Sequence, residues 1–130
     1  MTRFAIDAVV AIRLLREGRV VPEYHQLVAP AGLRSEVLAR LYRDVRVGVL
    51  TDRDGRQLLD ALAGLKIRLL ADRVSRSTAW KIATALDWDD VGLAEYLAVA
   101  KLQADALVTE DPRLAKQTLV PVAGFDDLLR

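Results

Sequence analysis

Read along the chain, the apolar positions fall into two rhythms. Short apolar runs, which read as buried strands, alternate with longer stretches of helical spacing. Arg3-Phe-Ala-Ile6 predicts a first strand, and Ala8 to Arg16, apolar nearly all round, predicts a well-buried helix. Pro22 lies in a loop before a second strand at His25 to Ala29, which Pro30, Ala31 and Gly32 terminate. A long amphipathic helix follows over Leu33 to Arg46, with Leu33, Val37, Leu38, Leu41, Tyr42 and Val45 as its inward stripe. Thr51-Asp-Arg-Asp54 has the form of a capping box for a third helix, which carries Leu58, Leu59, Leu62 and Leu65 and ends near Gly64.

Lys66 to Ala71 predicts a third strand, and Asp72 to Leu86 a helix with Val74, Ala79, Ile82, Ala83 and Leu86 inward. Another helix is expected from Asp90 to Gln103. A strand over Ala106 to Val108, a short helix to Lys116, a strand near Leu119 to Val122 and a helical turn over Phe125 to Leu129 complete the chain. Pro121 assigns the last strand to a sheet edge, because proline has no N–H for a ladder. Alternating strands and helices predict an α/β fold: a mostly parallel sheet of four to five strands flanked by helices. Residues 1–130 are read as one domain.

Composition narrows the function classes. Hydrophobic residues make up 52% of the chain, too many for a disordered protein. No apolar run approaches the roughly 20 residues that span a bilayer, and the N-terminus lacks a signal-peptide pattern, so a cytoplasmic protein is expected. The absence of cysteine removes disulfide and thiolate-metal chemistry. Lys and Arg number 19 against 18 Asp and Glu, a balance that neither announces nor excludes a nucleic-acid partner. There is no Gly-rich phosphate loop and no nucleophile–histidine set. The one histidine, His25, reads as a packed or surface residue. Asp52, Asp54 and Gly55 resemble a fragment of a calcium loop without its closing acid, and helix capping suits them better.

The candidate chemistry lies in acids at equivalent topological places. Asp7 follows the first strand, Glu36 sits in the first helical turn after the second, and Asp111 follows the strand Ala106 to Val108. In a parallel sheet all three reach the carboxyl edge, where ligands bind in open α/β folds. Carboxylates brought together there suit a hard divalent ion such as magnesium or manganese. Each also has a second role open to it: Asp7 and Asp111 suit helix caps, and Glu36 suits an i,i+4 pair with Arg40.

Several segments together carry a resemblance. Ile6-Asp7-Ala8, Leu33-Arg-Ser-Glu36-Val37, Ala94-Glu95-Tyr96-Leu-Ala-Val-Ala100 and Ala106-Leu-Val-Thr109-Glu-Asp111-Pro-Arg-Leu114 resemble, in order and spacing, the PIN-domain family, and most closely VapC-type toxins of bacterial toxin–antitoxin pairs. The resemblance spans nearly the full chain. It implies a PIN-like three-layer fold and a Mg2+- or Mn2+-dependent endoribonuclease that cleaves single-stranded RNA. It also implies a cognate antitoxin and a homodimer.

By that resemblance Asp7, Glu36 and Asp111 are catalytic metal ligands and Thr109 is a hydroxyl close to the metal. Arg113 and Lys116 are candidates for the RNA backbone. Two positions depart from the family pattern. Leu93 stands where the family has an aspartate three residues before the helical tyrosine, and Val9 stands where it commonly has Ser or Thr. Helical geometry puts Glu95 about 200° away from Leu93, while Asp89 and Asp90 lie on the Leu93 face, so Asp90 is the candidate substitute ligand. The alternative that Leu93 and Val9 raise is a degenerate PIN domain, without catalysis, that binds RNA or protein.

Overall fold

Five parallel strands form one sheet in the order β3-β2-β1-β4-β5. They are β1 (Thr2–Ile6), β2 (His25–Pro30), β3 (Arg68–Leu70), β4 (Ala106–Val108) and β5 (Val122–Ala123). The computed structural model describes residues Met1–Arg130. Six α-helices flank the sheet: α1 (Ala8–Glu17), α2 (Leu33–Arg46), α3 (Asp52–Leu62), α4 (Arg73–Ala85), α5 (Val91–Gln103) and α6 (Pro112–Lys116). A 3-10 helix, Phe125–Leu129, closes the chain. No helix is long and apolar enough to cross a membrane.

The central strand is β1, paired with β2 from Thr2↔His25 to Ala5↔Val28 and with β4 from Phe4↔Ala106 to Ile6↔Val108. Its Phe4, Ala5 and Ile6 are buried in succession, as a strand covered on both faces requires. Helix α5 packs along β1, β2 and β4 and against α4, while α1, α2 and α3 pack on one another. Residues Tyr96 to Ala100 are all buried, so α5 is the internal helix of the fold.

Helix starts are set by side-chain caps. Asp7, Thr51, Asp72, Asp90 and Asp111 each accept a backbone N–H from the first turn they precede. At Thr51 this is a single cap to Asp54 N–H, without the reciprocal bond of a capping box. Helix α1 stops at Gly18, whose φ of 61° is the left-handed conformation that glycine adopts freely.

The burial pattern differs from expectation on three helices, the mildest case being Leu59 of α3, which is exposed at the edge of its stripe. Helix α2 buries Leu33, Val37 and Leu41, but Leu38 and Tyr42, expected inward, are exposed. No element packs over that second strip. On α4, Val74 is exposed for the same reason. Strand β5 also begins later than expected: it pairs only at Val122 and Ala123, after Leu107 N–H has bonded to the Pro121 carbonyl. His25 is packed edge-on to Phe4 and Tyr24, with no hydrogen-bond partner for either ring nitrogen.

Candidate active site

Because β2, β1 and β4 are adjacent and parallel, the residues that follow them emerge side by side at one edge of the sheet. Asp7 leaves β1, Glu36 enters on α2 after β2, and Asp111 leaves β4. All three line one cleft of about 820 Å³, together with Val9, Asp90, Leu93, Tyr96, Glu110 and Arg113.

Asp7 is the buried member, only 5% exposed. Its Oδ1 accepts the Val10 N–H at 2.9 Å, which caps α1, and its Oδ2 accepts the Thr109 hydroxyl. Burial pushes its carboxyl pKa upward, and the nearby negative charge of Glu36 adds to that. The bonds from Thr109 and from the Val10 and Glu110 amides pull in the opposite direction without cancelling it. No basic side chain forms an ion pair with Asp7.

Thr109 joins two of the acids. While its hydroxyl donates to Asp7, its oxygen accepts the Asp111 N–H at 3.0 Å. Asp111 caps α6 through Arg113 N–H at 2.8 Å and meets the Arg113 guanidinium at 3.4 Å. Glu36 is held from two sides. Tyr96 of α5 donates its hydroxyl to Oε1 at 2.8 Å, and Arg40 reaches Oε2 at 2.9 Å. Burial, reinforced by the negative charge of Glu36, raises the Tyr96 phenol well above its usual range, so it stays protonated as a donor. Glu110 pairs with Arg13 at 2.8 Å at the rim.

The capping and pairing roles therefore coexist with membership of the cleft. No group of three acids is drawn close enough to hold one metal ion directly as the side chains stand. Leu93 is buried and faces the cleft, and half-buried Val9 faces it too, so both positions fall on the site itself. Asp90 also lines the cleft, with Oδ1 engaged in capping Leu93 N–H at 3.1 Å. Asp89, Lys116 and Thr109 do not line it, Thr109 lying behind Asp7, whereas Arg113 does. Glu95 points elsewhere, into a small separate pocket beside Ser75 and Arg76.

Sequence reasoning did not single out the positioning role of Tyr96 or the cleft-lining Arg16 and Arg43. A signal for Arg43 was present in the spacing Glu36, Arg40, Arg43, which forms one strip of a helix. Tyr96 shares the Leu93 face at i+3, but its hydroxyl partner, Glu36, lies 60 residues away and left no local signal.

No family model matches the chain, and no curated protein matches it significantly. Its likeness to solved structures is nonetheless extensive. The crystal structure of PAE2754 from Pyrobaculum aerophilum aligns over 98% of this chain and 93% of its own, with a TM-score of 0.74 and 20% identity. The crystal structure of VapBC2 from Rickettsia felis, bound to a DNA fragment from their promoter, aligns over 94% and 98%, with a TM-score of 0.70 and 7% identity. At such identities the likeness is one of architecture: the chain shares the α/β fold of these two structures over nearly its whole length.

Proposed function

We propose that the protein is a divalent-metal-dependent endoribonuclease, the toxin of a VapBC-type toxin–antitoxin pair, and acts on single-stranded RNA. The observation that carries this reading is the convergence of Asp7, Glu36 and Asp111 on one cleft at the carboxyl edge of a PIN-like sheet. The donor set is all oxygen, which fits magnesium or manganese. The resting side chains do not close around one ion, so the fit is to a hydrated cation held partly through water. Bound there, such an ion would stabilise charge on phosphate oxygens and lower the pKa of a water.

This chain's own residues do the positioning. Thr109 fixes the Asp7 carboxylate, and Tyr96 fixes that of Glu36. Asp7, Glu36 and Asp111 would hold the ion, with Asp90 at the margin of the set. Arg113, hydrogen-bonded to Asp111 at rest, is placed to turn towards an RNA phosphate, and Lys116 stands outside the cleft. The reading includes a cognate antitoxin and a homodimer as partners.

Calorimetric titration with manganese, followed by RNA cleavage with and without EDTA, tests it. Metal binding and EDTA-sensitive cleavage, both lost in Asp7→Asn, are expected. A chain that binds no metal at millimolar concentration supports the second reading, a non-catalytic PIN-like module that binds RNA or protein. Leu93 motivates that reading, since it puts a buried aliphatic side chain on the cleft where the family carries an acid. Leu93→Asp separates the two: activity that appears only in this variant identifies a damaged site.

A further inference from the structure

Two arginines on the cleft have no part in the acid network. Arg16 and Arg43 both line it, and neither has a carboxylate within ion-pair distance or a side-chain hydrogen bond. The other cleft arginines are engaged, Arg40 with Glu36 and Arg113 with Asp111. The two free ones come from different helices, α1 and α2, which pack on each other beside the cleft. On α1, Val9, Ile12 and Arg16 form one strip that leads out from Asp7, and on α2, Glu36, Ala39, Arg40 and Arg43 form another. Both strips run from an acid at the sheet edge to an arginine at the outer end. Arg16 is about 13 Å along its helix from Asp7, and Arg43 about 10 Å along from Glu36.

We infer that Arg16 and Arg43 are a backbone clamp for single-stranded RNA: they grip phosphates flanking the one presented to the acids. Free guanidinium groups suit this role, because they form bidentate bonds to phosphate and have no internal ion pair to surrender. A bond to phosphate gives grip and register without reading sequence. The apolar walls between acid and arginine, Val9 with Ile12 and Ala39, leave space for nucleosides rather than competing for phosphate. The inference rests on the RNA substrate of the proposed function, but not on catalysis.

Both arginines also lie in the last turn of a helix, where any cation meets a favourable dipole. Arg46 shares that position on α2 but lies outside the cleft, so it serves as the control. Binding of an uncleavable 2′-O-methyl RNA strand is measured by fluorescence anisotropy across a salt series, in EDTA and again with manganese. Removing one arginine–phosphate bond should reduce the salt slope by about 0.7 and the affinity about 5-fold at about 0.1 M salt, so Arg16→Gln with Arg43→Gln should lose about 25-fold. Arg46→Gln should leave the slope unchanged, and Arg16→Lys with Arg43→Lys should retain most of it.

An unchanged slope in the double glutamine variant overturns the clamp, as does an equal loss in Arg46→Gln. An unchanged RNA slope alongside loss of poly-glutamate binding overturns it in favour of an acidic protein partner. Cleavage of ordinary RNA is scored separately. A reduced slope in a protein that never cleaves keeps the clamp and sinks the nuclease, whereas metal-dependent cleavage with an unchanged slope does the reverse.

Discussion

Thr109 links two of the cleft's acids from behind its lining, and Thr109→Val isolates what its hydroxyl contributes. Valine has nearly the same shape, so the substitution opens no cavity, and the effect is confined to two hydrogen bonds. One is donated to Asp7, a carboxylate only 5% exposed, and such a bond to a charged acceptor contributes about 1.5–3 kcal/mol. The other is accepted from the half-buried Asp111 N–H, where water takes over in part, so its loss costs about 0.5–1 kcal/mol. The extra methyl returns up to about 0.5 kcal/mol of that. The expected destabilisation at neutral pH is about 2–3 kcal/mol, read by urea unfolding.

Acidification should shrink this cost. The Thr109 bond favours the ionised carboxylate, so its loss raises the folded-state pKa of Asp7 further. A carboxyl with a raised folded pKa contributes stability that is complete below its unfolded pKa and lost as pH rises through the folded one. The penalty in Thr109→Val is therefore greatest above the folded pKa of Asp7 and fades below it. In an Asp7→Asn background the bond is between neutral groups and contributes only about 0.5–1.5 kcal/mol. The double-mutant cycle should thus show a coupling of about 1 kcal/mol or more. A Thr109→Val cost below about 0.5 kcal/mol at neutral pH, or the same cost in both backgrounds, would refute the bond as the organiser of the cleft.

Three further outcomes follow from the same geometry. Asp7→Asn should keep or raise stability at neutral pH, because asparagine caps a helix as well as aspartate and the buried charge is gone. Every tenfold displacement of the Asp7 ionisation that it removes is worth about 1.4 kcal/mol, and the difference in thermal stability between the two proteins should vanish in acid. Tyr96→Phe leaves Glu36 held by Arg40 alone and should weaken manganese binding by about tenfold or more in calorimetry, with little change in fold by circular dichroism. Gly55→Ala puts a methyl 2.5 Å from Val45 Cγ2 where α3 meets α2, and should destabilise by about 1 kcal/mol net of the helix propensity gained; Val45→Ala in the same chain should restore it, as read by thermal melting.

The strands and their order of use were legible because β1, β2 and β4 are short apolar runs with an acid or a breaker at the end. Asp7 stands out for that reason: it immediately follows Ile6 and precedes an apolar helix. The face of α5 that holds Leu93 and excludes Glu95 also followed from helical geometry alone. What periodicity could not reveal is which apolar strip finds a neighbour. On α2 the apolar set spans two strips, and only Leu33, Val37 and Leu41 meet the core, leaving Leu38 and Tyr42 exposed. The role of Tyr96 was equally hidden: its place on the Leu93 face follows from helical spacing, but its partner Glu36 comes from another helix 60 residues away. The extent of β5 depended on one carbonyl, that of Pro121, whose bond to Leu107 precedes the paired residues.

The acids of the cleft differ in how they are neutralised, and that difference suggests how the site is used. Glu36, Glu110 and Asp111 each have an arginine of this chain beside them, in pairs that are partly open to solvent. Such pairs contribute about 0–1 kcal/mol, so exchanging an arginine for a cation costs the fold little. Asp7 has no such partner. It is buried and held by a hydroxyl and backbone amides, and its charge raises the free energy of the folded chain. A helix cap alone does not require this, because Asp72 and Asp90 cap their helices at the surface. Burial of a carboxylate without a basic partner, between two other acids, is instead the arrangement in which a divalent ion gains most, since it relieves a desolvation penalty that the Thr109 hydroxyl and the backbone amides offset only in part. Manganese should then stabilise the native chain against unfolding more than it stabilises Asp7→Asn, and equal shifts in melting temperature for the two would leave the buried charge without a role in holding the ion.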